Sequence, residues 1–217
     1  MLTASLIAAQ EDERTKIALD LHDDIGQRLA ALMLEASALR KGLPADQDEL
    51  ARRLSRIEEA LSGMAKDIRL PAHQLHPSAL EHLGFRQALK SLCDEISRQS
   101  GMRVRLTVRS LPDGPPRAVA LPLYRIAQEA LQNVASHSGA GEARVTLSGR
   151  DGELRLSLSD AGRGFDVEQG RKAGLDLFSM EERARQIGAT LTIRAKPGQG
   201  THVDVVVPLK KESGSAK

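Results

Sequence analysis

The stretch "LHDDIGQ", Leu21 to Gln27, sets an imidazole, His22, directly before two carboxylates, Asp23 and Asp24, with an amide, Gln27, four residues beyond Asp23. A neutral imidazole is a capable nucleophile when a neighbouring base fixes its tautomer or takes up its proton. Asp23 and Gln27, four apart in a helix, share a face, and His22 lies one residue round from it. The plainer alternative is a polar edge beside an apolar stripe, with Asp24 serving only solubility.

A second group follows past the middle of the chain. Glu129 and Asn133 are again four apart and project together from one helix face. An Asn amide in a cleft is a hard-oxygen ligand suited to Mg²⁺, which keeps most of its waters and takes one or two protein oxygens plus substrate phosphates. A solvated polar face would carry the same spacing. In "SLSDAGRGF", Asp160 stands at a strand end before Gly162 and Gly164. There a carboxylate can accept a hydrogen bond from an exocyclic amine such as that of adenine, and glycine lets backbone approach a ligand closely. An ordinary strand-to-loop turn uses the same residues. "GRKAGLDLF", with Gly174, reads as a glycine-containing loop entering a helix whose free N–H groups could hold phosphate. "KPGQGTHV", with Gly198, Gly200 and Thr201, repeats the theme, although hairpin turns look alike.

These residues need elements to position them. From about Ala4 to Lys41 few breakers occur, and Ala18, Ile25, Leu32 and Leu39 recur every seven residues, with Leu29 and Ala36 as a second series. "KGLPADQD" then combines a helix stop, a turn and a helix start. Leu50, Leu54, Ile57, Leu61, Met64 and Ile68 follow in alternating steps of four and three, a coiled-coil-like seam. Two such helices make an αα-hairpin, and since one hairpin leaves part of each stripe wet, two copies are expected to pair into a four-helix bundle, making a homodimer. The prolines of "LPAHQLHPSALEHLG" are read as ending the second helix, ahead of another from about Phe85 to Gln99.

Beyond Gly101 the texture changes to period-two alternation in "RVRLTVRS", "ARVTLSG", "ELRLSLSD", "ATLTIRA" and "THVDVVVPL". With helices over about Pro116 to His137 and at "MEERARQIG" between them, this predicts an α+β two-layer domain. The domain boundaries that follow are a helical hairpin over 1–75, a linker over 76–84, an α+β domain over 85–210 and a polar tail over 211–217.

Composition narrows the function. Charged residues make up 28% yet nearly cancel to +2, and aromatics are only 2%, so neither a phosphate-tracking surface nor a base-stacking platform has material, which argues against direct nucleic-acid binding. The single cysteine, Cys93, has no partner for a disulfide or a CxxC metal site and reads as a small buried hydrophobe, consistent with a reducing, cytoplasmic setting. No apolar run is long enough to span a bilayer, and "ASLIAA" is followed at once by "QEDERTK" rather than by a cleavage site. The expectation is a soluble protein or the soluble part of a larger one.

Taken in their fixed order, the later motifs resemble the GHKL (Bergerat-fold) ATP-binding domain: an N-box around Asn133, glycine boxes at "DAGRGF" and around Gly174, and a last box at "GQGT". The first part, "ERTKIALDLHDDIGQRLAAL" with "LHPSALEHLGFRQAL" beyond the second helix, is similar to the dimerisation and phosphoacceptor domain of NarL/DesK-type sensor histidine kinases. The resemblance runs from about Glu13 to Leu209. It implies that His22 is the phosphoacceptor, that Asp23 orients the imidazole and takes up its proton, and that Gln27 positions water for dephosphorylating a partner. It implies ATP and Mg²⁺ as ligands, with Asn133 on Mg²⁺, Asp160 reading adenine, and Glu129, His137, Gly162, Gly164, Gly174, Gly198, Gly200 and Thr201 shaping the nucleotide pocket and its lid. The implied partner is a response regulator receiver domain with a LuxR/NarL-type output.

Two positions depart from the family pattern. Its N-box usually ends Lys/Arg-His, and here "NVASHS" puts Ser136 before His137; its second glycine box usually has a further glycine where this chain has Asp176. A carboxylate near a polyphosphate is repulsive unless Mg²⁺ or an arginine intervenes. These departures support the alternative function, a weakly nucleotide-binding phosphatase or docking scaffold for a response regulator. A GHKL clamp that hydrolyses ATP through Glu129 is the third possibility. No sensor region is recognisable, so the chain reads as an excised catalytic core or a protein that senses through a separate partner.

Overall fold

The computed structural model describes residues 2–44, 47–75, 77–110, 114–150, 152–173 and 175–209; for 2–4, 7–8, 22–23, 69–74, 78–79, 172–173 and 175–176 the description is of the backbone. The chain divides into two compact units, Met1–Ser78 and Ala79–Lys217.

In the first unit, α1 (Leu2–Leu19) and α2 (Gly26–Lys41) are joined without a break in helical backbone by a π-helical turn, Asp20–Ile25. Three of the six residues in that turn are aspartate, a poor helix former, and its last wide bond runs from the Gly26 N–H to the Leu21 carbonyl. Gly42 closes α2 by donating to the carbonyls of Ala38 and Leu39, both at 3.1 Å. α3 (Asp48–Leu75) opens with Asp48 and Glu49 in its first turn, where carboxylates complement the helix dipole. It packs along α2, and Arg40 reaches across to both carboxylate oxygens of Glu58 at 3.2 Å.

The heptad reading divides in two here. Ala18, Leu29 and Ala36 are buried, whereas Ile25, Leu32 and Leu39 are exposed; in α3 Leu54, Leu61 and Ile68 are half-buried, whereas Leu50, Ile57 and Met64 are exposed. Beyond the π turn each helix therefore seats one series against its neighbour and presents the other outward, whereas Ala18, before the turn, is buried although its spacing groups it with the outward series. α3 ends at Leu75, inside the proline-bearing stretch read as its end; it passes through Pro71 and stops two residues before Pro77. A helical proline removes one N–H bond, here the one to the Asp67 carbonyl, and the rest of the ladder continues past it. The stretch expected as a linker contains a short helix, α4 (Ser78–His82).

In the second unit, α5 (Phe85–Ser100) follows Gly84, and Gly101 caps it in the left-handed region at φ 71°, its N–H on the Ser97 carbonyl at 3.1 Å. The strands β1 (Arg103–Arg109), β2 (Glu142–Arg150), β3 (Glu153–Asp160), β4 (Thr190–Ala195) and β5 (Thr201–Pro208) form one sheet in the order β1-β2-β3-β5-β4. Only the β1–β2 pair is parallel, and the crossover it requires is supplied by α6 (Arg117–Asn133) and a second π-helical turn, Val134–Ser138. Two further helices, α7 (Val167–Ala173) and α8 (Leu175–Gln186), precede β4. Part of the stretch read as a glycine loop, Gly170 to Ala173, thus lies in α7; Asp166 starts that helix by accepting the Gln169 N–H at 3.0 Å.

Alternation along the strands decides the layers. Val145 and Leu147, Leu154 and Leu156, and Val205 and Val207 point into one core with Leu89, Leu123, Ile126 and Leu131 from the helices. The intervening Arg144, Thr146, Arg155 and Ser157 lie on the opposite face. Cys93 is enclosed in the same core, and burial pushes its thiol from the ordinary range to about 12. Among the described residues no helix is long and apolar enough to cross a membrane.

Candidate active site

In the second unit a cavity of about 420 Å³ opens where the end of α6, the second π turn, the end of β3 and the glycine loop after it converge. Leu158, Ile193 and Val203 from the sheet and Leu177 and Met180 from α8 give it apolar walls. Of the residues singled out in the sequence, Asn133, His137, Asp160, Gly164 and Thr201 line it. Gly162, Gly198 and Gly200 hold the surrounding loops, and Glu129 sits half-buried one turn before Asn133 without lining the cavity. Gly174 lies outside the described residues, as does the side chain of Asp176.

Asp160 is the decisive group. Its Oδ1 accepts the Gly162 N–H at 2.8 Å, while its Oδ2 is buried and is the one such side-chain N or O atom without a hydrogen-bond partner among the described residues. Leaving a buried acceptor unpaired costs about 1–3 kcal/mol, so the arrangement favours a ligand that brings a donor to that oxygen. An apolar cavity with a single unsatisfied carboxylate oxygen suits a flat heterocycle bearing an amino group.

At Gly162 and Gly200 the loops that frame this carboxylate leave no room for a side chain. A Cβ on Gly162 would run into the carbonyl of Ser138, and one on Gly200 would run into the carbonyl of Asp160 itself. These close approaches let the backbone knit together: the Arg163 N–H donates to the Ser138 carbonyl at 2.8 Å, and the Gly198 N–H donates to the Arg163 carbonyl at 2.6 Å. The Arg163 side chain also crosses to the second π turn, where its Nε donates to the His137 carbonyl. Arg163 has no role in the motif "DAGRGF" as a sequence; its place between two glycines is the signal that could have singled it out.

Asn133, the last residue of α6, offers the hard oxygen suited to Mg²⁺. Among the described residues no group of three or more His, Cys, Asp or Glu could hold a metal alone. That donor set fits a magnesium ion held jointly by one protein amide and a ligand's phosphates. Ser136 is exposed and does not line the cavity.

In the first unit, His22 and Asp23 occupy the first π turn, an insertion that recurs at functional positions in helices. Gln27 is exposed at the start of α2, and Asp24 is paired with Arg28 at 2.7 Å, which explains its presence without chemistry.

Residues 13–80 match the family model described as "Histidine kinase", and residues 118–211 match "Histidine kinase-, DNA gyrase B-, and HSP90-like ATPase". The chain belongs to the NarL/DesK-type histidine kinases. Within that family it is 33% identical over 210 residues to the sensor histidine kinase MctS of Rhizobium johnstonii, covering 95% of this chain and 45% of the relative. It is 31% identical over 201 residues to the sensor histidine kinase LiaS of Bacillus subtilis, covering 93% and 55%. The chain thus spans about half the length of these curated relatives. Among solved structures, the histidine kinase domain of the Erythrobacter litoralis EL346 blue-light activated kinase aligns with a TM-score of 0.53 at 19% identity, over 83% of this chain and 96% of that one, a likeness of fold.

Proposed function

We propose that this chain is the catalytic core of a two-component sensor kinase, which phosphorylates itself on His22 from ATP and passes the phosphoryl group to an aspartate of a response regulator. The observation that carries the reading is the unsatisfied Asp160 Oδ2 inside an apolar cavity, in a chain whose helical unit carries "LHDDIGQ". Asp160 takes the exocyclic amine of adenine on that oxygen while Gly162 keeps the other occupied. Glycines 164, 198 and 200, with Thr201 and His137, shape the ribose and phosphate end, and Gly174 belongs to the lid. Glu129 supports the face that carries Asn133.

The Asn133 amide would hold a magnesium ion, which would supply charge neutralisation for the transferring phosphoryl group. A His22 ring nitrogen forms the bond to the γ-phosphorus as the bridging bond to the β-phosphate breaks and ADP leaves; Asp23 accepts the imidazole proton. In the reverse direction of signalling, Gln27 orients the water that hydrolyses the regulator's phosphoaspartate. The functional unit is a homodimer closed by the outward series of the hairpin, acting in the cytoplasm on a regulator with a LuxR/NarL-type output. The hairpin, the segment 76–84 and the catalytic domain 85–210 are its working parts, followed by the tail 211–217.

The test is incubation of the purified chain with Mg²⁺ and γ-labelled ATP. Acid-labile, alkali-stable label that is absent from His22→Gln, while that variant still binds ATP, is the expected result. A folded dimer that binds ATP yet takes up no label would overturn it.

A further inference from the structure

We propose that Arg163 is the residue that binds the polyphosphate of the nucleotide, supplying a cation from the glycine loop. The inference rests on the nucleotide reading of the cavity given above. Among the described residues lining that cavity, Arg163 is the one permanent cation and Asp160 the one carboxylate. Their exposures differ in the sense a nucleotide requires: the free oxygen of Asp160 is buried, whereas Arg163 is exposed. A base enclosed at Asp160 leaves its phosphates toward the solvent side, where their charge needs a partner.

Arg163 is held for that task at three points. Its N–H is bound to the Ser138 carbonyl, its own carbonyl accepts from Gly198, and its Nε is bound to the His137 carbonyl. The close approach of Gly162 to Ser138 is what lets the loop sit near enough for this. With Nε committed, both terminal NH₂ groups remain as a planar fork, and no carboxylate pairs with Arg163 among the described residues. A guanidinium fixed in this way meets a phosphate with little further loss of side-chain freedom, and its fork matches phosphate oxygens. Ser136 is exposed outside the cavity lining and carries no charge. The loop arginine is tethered to the His137 carbonyl, at the end of the pocket that the second π turn forms.

The experiment compares binding of ATP and of adenosine, in the presence of Mg²⁺, to the full chain and to Arg163→Gln. Glutamine keeps a side-chain donor that can serve the His137 carbonyl while removing the charge. The expected result is a loss of ATP affinity of about tenfold or more with adenosine affinity held within about twofold, and a weaker dependence of ATP binding on salt. Equal ATP affinity in the two proteins would overturn the proposal. So would equal losses for ATP and adenosine, which would make Arg163 a brace for the loop. A wild-type chain that binds neither ligand would instead remove the nucleotide reading on which the proposal stands.

Discussion

In the helical hairpin Ile25, Leu32, Leu39, Leu50, Ile57 and Met64 stand between 38% and 57% exposed at intervals of seven, whereas in the sheet domain Leu123, Leu147, Leu154 and Leu156 are wholly buried. The sheet domain closes its core within one chain, because three helices cover one face of five strands whose alternate residues turn outward. Two helices offer each other only one side. A second apolar row of this regularity is suited to another helix pair, and the proposed homodimer supplies one. The contrast puts the candidate nucleotide cavity on a self-sufficient scaffold and the proposed phosphoacceptor on one that keeps an apolar row facing outward.

The sharpest way to break that comparison is to charge the outward row. Leu32→Lys with Ile57→Lys is expected to leave a monomer by sedimentation and to abolish His22 labelling, while ATP still binds the sheet domain; a persistent dimer would mean that the row is not the interface. Next in size, Leu156→Ala empties a closed core and is expected to cost about 2–5 kcal/mol in the unfolding of the sheet domain, read from denaturant melts.

A smaller change addresses the site. Asp160→Asn keeps an oxygen for the Gly162 N–H and turns an NH₂ toward the adenine amine, so donor meets donor. Binding of ATP and adenosine should fall together by at least about tenfold in calorimetry. Cys93 offers a gentler test of closure: with its thiol held near pKa 12 by burial, the folded protein should resist alkylation at neutral to mildly alkaline pH. Unfolding returns the thiol to its ordinary range and should restore reactivity. At the small end, Arg28→Ala removes an exposed helical ion pair with Asp24 and should change stability by less than about 0.5 kcal/mol.

Much of this organisation was legible beforehand. The five strands and their alternating faces followed from period-two alternation, and the αα-hairpin from seven-residue spacing. The π turns at Asp20–Ile25 and Val134–Ser138 were not legible, because a periodicity argument assumes an α-helical step throughout. Which of the two prolines marks the end of α3 was not legible either, since a breaker lowers the odds of helix without forbidding it: Pro71 lies within the helix and Pro77 beyond it. Gly170 was read as loop, yet the cap from Asp166 puts it inside α7.

What the sequence determined by itself is the set of candidates, His22 beside Asp23, Asn133, Asp160 and the glycines, in an order that identifies the family, because residue types and spacing are local properties. What only the tertiary structure decided is which groups remain unsatisfied and which rows remain open. Whether Asp160 Oδ2 lacks a partner depends on the loops packed around it, and which heptad row faces inward depends on the neighbour α3. Arg163 gains its place in the same way, since a loop arginine reaches the end of α6 only when β3, the second π turn and the β4–β5 connection have been brought together.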